Sequence, residues 1–155
     1  MGIAEQKLAK MGIKLEAIDR TGKGVLSFRR YKNMLFISGH GPLDMKGNPL
    51  MKGTVGVDLT PEQGYEAGRL TAINMLSTIK DAVGDLDKID YFVKGLVIFN
   101  SGGKFYDMPA QANGFSDVIT KVFGQRGRHA RAAMGCGTQP GNVPVIVEMV
   151  LKLKD

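Results

Sequence analysis

Residues 89–99, IDYFVKGLVIF, form an almost unbroken apolar run rich in β-branched and aromatic side chains. A strand that is apolar at odd and even positions alike has to be covered on both faces, so this run predicts a central strand of a sheet. The segment 143–153 makes the same demand. Val143, Val145, Val147, Met149, Leu151 and Leu153 fall on one face, while Ile146, Glu148 and Val150 share the other. Any fold of this chain must therefore cover both sides of a sheet.

The chain offers two long helices for that purpose. Thr60-Pro61-Glu62-Gln63 combines an N-cap hydroxyl, a proline at the first helical position and a glutamine three residues after the cap. Tyr65, Ala72, Leu76, Ile79 and Val83 then keep helical spacing up to a stop at Gly84. The second helix starts at Asp107 with Pro109 just inside it, and Ala112, Phe115, Ile119, Val122 and Phe123 form its apolar stripe before Gly124. Residues 25–31 and 34–39 read as a hairpin turning at Lys32-Asn33, with Asn33 in the left-handed conformation. A short strand is expected near Pro49 to Lys52, and residues 2–12 read as a helical appendage closed by Gly12.

The sum is a single α+β domain over residues 1–155, with about six strands and two long helices on one face. Two helices shield only one face, so a second copy of the chain is expected on the other, in a ring or symmetric oligomer with clefts between subunits. The alternative is that loops and the N-terminal helix cover it.

Composition narrows the function. No apolar run approaches the ~20 residues of a membrane helix. The start, MGIAEQKLAK, lacks the apolar core of a signal peptide, which predicts a cytoplasmic protein. Cys136 is the sole cysteine, and His40 and His129 are the only histidines, so neither a disulfide nor a histidine-rich metal cage is expected. The net charge of +6 favours anionic partners. The basic residues are scattered without interleaved aromatics, so a nucleic-acid platform is not expected.

The chemistry is concentrated in residues 127–148, GRHARAAMGCGTQPGNVPVIVE. Period two puts Arg131, Ala133 and Gly135 on one strand face and Ala132, Met134 and Cys136 on the other. A guanidinium above so small a floor leaves room for a carboxylate or phosphate held by two hydrogen bonds. The alternative is an arginine that simply reaches solvent. GCGTQPG lacks phosphate-loop spacing and runs into a strand, so it reads as a hairpin turn. Asp85, Asp87 and Asp90 read as a solvated turn, Cys136 as an inert buried thiol, and Ser38 with His40 as no catalytic pair.

Three segments together, LFISGHGP (35–42), QANGFSDVITKVFG (111–124) and GRHARAAMG (127–135), with Pro140 and a last strand carrying Glu148, resemble the RidA/YjgF family of imine and enamine deaminases. These proteins were formerly described as endoribonuclease L-PSP. The resemblance is to the longer, chorismate-mutase-like branch with an extra N-terminal helix. It implies a chorismate-mutase-like fold, a homotrimer with intersubunit clefts, and no cofactor. It further implies that Arg131 holds the carboxylate of a 2-imino acid or 2-aminoacrylate, in a cleft lined by Ser38, Gly39, Asn113 and the backbone near Ala133. Ile146 stands where active members carry a water-orienting glutamate, and Glu148 matches the family's second glutamate. The resemblance thus implies either hydrolysis assisted by Glu148 or a non-catalytic small-carboxylate binder. RNA cleavage, the older label, has only the basic charge in its favour.

Overall fold

The computed structural model describes residues 1–16 and 24–155. Its elements follow in the order α1 (Ile3–Lys10), β1 (Phe28–Tyr31), β2 (Met34–His40), α2 (Pro61–Val83), β3 (Ile89–Asn100), α3 (Met108–Phe123), β4 (Ala130–Cys136) and β5 (Val145–Leu153), with short 3-10 turns between some of them. The strands form one mixed five-stranded sheet in the order β1-β2-β5-β3-β4, in which only β3 and β4 run parallel.

Two expectations are corrected here. The sixth strand near Pro49 does not form, because Leu43 and Pro49 meet only as an isolated bridge. The Gly/Pro segment 135–141 is not a hairpin turn either. It carries the chain from β4 across to β5, with β3 lying between them. The cause is β3 itself, whose apolar residues take the centre and leave the small-residue strand β4 at the edge. In the β1–β2 turn the left-handed residue is Lys32 (φ 53°) and not Asn33.

The helix starts form as their sequences dictate. Thr60 accepts from the Gln63 N–H while the Gln63 side chain accepts from the Thr60 N–H, a complete capping box. Asp107 caps α3, and Gly84 (φ 76°) and Gly124 (φ 61°) end the two long helices. The helices cross with their backbones in contact. A Cβ on Gly114 would lie 1.9 Å from the Tyr65 carbonyl oxygen, and one on Gly68 would lie 3.0 Å from the Phe115 nitrogen. Glycine is thus required on both sides of the crossing.

Both long helices pack on one face of the sheet. Val97 and Phe99 of β3 and Val145, Val147, Met149, Leu151 and Leu153 of β5 are buried there with Phe115, Ile119, Leu76 and Ile79. On the opposite face, Leu96, Ile98, Ile146 and Val150 are only half-buried and Phe36 and Met134 are exposed. The second apolar face read from the sequence is therefore real, and within one chain neither α2 nor α3 covers it.

Helix α1 is tied down by the turn after α2. Asp87 accepts from the N–H groups of Ile3 and Ala4, and Glu5 pairs with Lys80 and accepts from the Leu86 N–H. Burial opposes the charge on Glu5, but these hydrogen bonds outweigh it and hold the carboxyl below its usual range. Asp87 is thus a half-buried docking group, Asp85 caps the turn through the Asp87 N–H as a turn residue would, and Asp90 lies in β3, paired with Lys152.

Candidate functional site

Edge strand β4 lies beside α3, and the side chain of Arg131 crosses from one to the other. The parallel register pairs Gly95, Val97 and Phe99 with Arg131, Ala133 and Gly135, which puts these three on the helix-covered face, as the alternation predicted. Arg131 Nη1 donates to Asn113 Oδ1 (2.9 Å) and to Ser116 Oγ (3.1 Å), and Nη2 donates to the Pro109 carbonyl (3.0 Å). Pro109, Asn113 and Ser116 are four and three residues apart, so they share one helix face. All three acceptors are neutral, and no carboxylate pairs with Arg131 among the described residues. A guanidinium has five N–H groups. The contacts leave Nε–H and one Nη2–H, with the positive charge uncompensated.

Behind Arg131 stands His129. Its Nε2 lies 3.1 Å from Ser116 Oγ and its Nδ1 lies 2.7 Å from the Gly127 carbonyl. The satisfied arrangement has Nδ1–H donating to Gly127 and the Ser116 hydroxyl donating to Nε2, so that Ser116 Oγ is free to accept from Arg131. The ring packs over Gly95, where a Cβ would lie 3.6 Å from His129 Cδ2, an ordinary contact distance. Burial lowers the pKa of His129; the Gly127 hydrogen bond works against this and the Arg131 charge adds to it. The imidazole is therefore neutral near pH 7 and buttresses Arg131 through Ser116.

That depression has a stability consequence. The unfolded ring takes up protons below its ordinary 6.5, before the folded ring does. The stability that the neutral ring contributes is complete above that pH and is lost as the pH falls below it. The melting temperature is expected to fall between about pH 7 and pH 5, and to fall less in His129→Gln. Equal slopes in the two proteins would mean that the ring titrates normally.

The structure brings the expected Arg131 and Asn113 together and adds Ser116 and His129, which the sequence had not marked as site residues, while Ala133 packs against the core and does not line the groove. The signals were present: Ser116 is three residues from Asn113, and His129 is two before Arg131 on the same strand face. A groove of about 340 Å³ opens beside Arg131, lined by Asn113, Ser116, Thr120, Arg128, His129 and Arg131.

The remaining predicted residues lie elsewhere. Glu148 is exposed on the open face of the sheet, in register with Leu96, and shares a groove of about 410 Å³ with Ser38, Arg29 and Lys94. Gly39 is near it, and a Cβ there would lie 2.9 Å from Ile146 Cγ2. Within one chain Glu148 and Arg131 are thus on opposite faces, with β3 between their strands. Ser38 and His40 form no pair. Ser38 Oγ donates to the Leu26 carbonyl, while His40 is buried between the Ser38 carbonyl and Thr78 Oγ1. Cys136 is half-buried, not enclosed as expected, and its thiol donates to the Thr138 carbonyl.

The family model described as "YjgF/chorismate_mutase-like, putative endoribonuclease" matches residues 5–153. The chain belongs to this family. Protein TCP17 of Trypanosoma cruzi is 35% identical over 155 residues, covering 99% of this chain and 96% of that protein. A crystal structure of an Agrobacterium tumefaciens protein of unknown function is 31% identical, with a TM-score of 0.91 over 98% of this chain and 93% of that one. A Shewanella oneidensis structure carrying the same endoribonuclease description is 27% identical, also at a TM-score of 0.91, over 97% and 99% of the two chains. The YjgF family fold expected from the sequence is therefore established. Among the described residues no helix is long and apolar enough to cross a membrane.

Proposed function

We propose that this chain is a Rid-type hydrolase of small 2-imino acids, with Arg131 as the carboxylate anchor. The observation that carries this reading is a guanidinium held by three neutral acceptors, with two N–H groups and its charge left over. A carboxylate is the simplest complement to that edge. The reaction adds water across the C=N bond of a 2-iminium acid and expels ammonium, leaving a 2-oxo acid. The iminium carbon is already electrophilic, so positioning a water beside an anchored substrate supplies most of what the step needs. No cofactor enters.

Glu148, Ser38 and Gly39 cannot reach a ligand on their own chain's Arg131. In this reading a homotrimer brings the open sheet face of one protomer, with its half-buried Leu96, Ile98, Ile146 and Val150, against the edge of the next. Glu148 then orients the water from a neighbouring copy.

A second reading, a carboxylate binder without turnover, is favoured by Ile146, which fills the space over Gly39 with an apolar side chain. RNA cleavage has less support, because His40 is buried and His129 is committed to Ser116 and Gly127.

The test combines freshly generated 2-iminobutanoate, read as ammonia and 2-oxobutyrate release, with sedimentation of the protein. Release above the solution rate is expected, with a species three times the 16.8 kDa chain mass. Background release together with thermal stabilisation by 2-oxobutyrate would establish the binder instead. A monomer that neither turns over nor binds would overturn both readings.

A further inference from the structure

We infer that the ligand of this groove is a dianion of the short 2-oxo or 2-imino dicarboxylate class, its far carboxylate taken by Arg128. The inference rests on the reading of Arg131 as a carboxylate anchor and adds the specificity of the site. The groove runs along α3 from Asn113 to Thr120, seven residues or ~10 Å at the helical rise. Arg131 occupies the end near Asn113. Arg128 enters from the turn that follows α3, where its backbone N–H bonds to the Gln125 carbonyl and its Nη1 lies 3.5 Å from Gln125 Oε1. That neutral contact is at the outer limit of a hydrogen bond, and no carboxylate pairs with Arg128 among the described residues.

The rest of the lining, Asn113, Ser116, Thr120 and neutral His129, is polar, and the groove contains neither an acid nor an aliphatic side chain. An alkyl substrate tail would desolvate these groups without replacing their water. A second carboxylate would satisfy them. A five-carbon dicarboxylate with a ~2.8 Å hydrogen bond at each end spans roughly 10 to 12 Å, comparable with the ~10 Å of helix that the groove follows.

The experiment is titration calorimetry of the full chain with 2-oxoglutarate and 2-oxovalerate, which have equal carbon number and differ in a terminal carboxylate or methyl. Wild type is expected to bind 2-oxoglutarate about fivefold more tightly, the upper end of what an exposed charged contact gives. Arg128→Gln should bring the two affinities within about twofold, while Lys121→Gln, which removes an exposed charge from the same helix outside the groove, should leave the ratio as in wild type. Equal affinities in wild type, or a ratio unmoved by Arg128→Gln, would overturn the inference yet leave the carboxylate anchor standing, provided binding still depends on Arg131. Failure of both acids to bind would remove the anchor and the dianion together.

Discussion

Arg131→Ala is expected to weaken binding of a small 2-oxo acid about 100-fold and to abolish turnover of the corresponding imine. The two remaining N–H groups can each give a charge-assisted hydrogen bond worth roughly 1.5 kcal/mol in a half-open setting. Together that is about 3 kcal/mol, or two decades in affinity. Arg131→Lys should recover little, because a lysine ammonium has three donors and no planar fork. It cannot occupy Pro109, Asn113 and Ser116 and still present a bidentate edge. Binding measured by calorimetry on protein with an unchanged circular-dichroism spectrum would check both variants. An alanine variant that binds and turns over like wild type would end the proposal.

Gly114→Ala is expected to be the most destabilising single methyl addition among the packed helices. Its Cβ would sit 1.9 Å from a backbone oxygen of α2, and backbone cannot swing aside as a side chain can. Only a separation of the helices relieves it, and that opens voids around Phe115 and Leu76, both fully buried. Alanine's better helix propensity returns about 1 kcal/mol, so a net loss of about 3 kcal/mol is expected. For a domain of this size that is a fall of roughly 6 to 12 °C in melting temperature. A fall smaller than about 2 °C would show that the crossing is looser than its geometry implies. The variant should also weaken ligand binding, because α3 carries every acceptor that holds Arg131.

The sequence conveyed the local grammar of the fold well and its sheet order poorly. The capping box at Thr60, the proline inside α3 and the two-faced apolar runs each report a local physical requirement, and each appears where expected. Whether the Gly/Pro segment after Cys136 closes a hairpin or crosses a strand is not a local property. It depends on β3 taking the place beside β5, a competition among strands far apart in sequence.

The same limit governed the site. Arg131 and Asn113 could be read from residue type and motif. Ser116 and His129 matter only because α3 lies over β4, so a serine and a histidine of ordinary appearance become the support of the Arg131 side chain. Glu148 and Ser38, expected in the cleft of Arg131, instead share a groove on the other face of the sheet within one chain. Their separation from Arg131 followed only once the strand order was known.

The strand order also bears on how the molecule comes into being. β5 lies between β2 and β3, yet it is translated after both. A nascent chain that has reached Asn142 therefore holds two strands with bare edges and no shared partner, and the pairing of Leu35 with Leu151 must wait for the final segment to leave the ribosome. The middle of this sheet is sealed last, so a ribosome that stalls before Val145 yields a sticky fragment and not a smaller version of the protein.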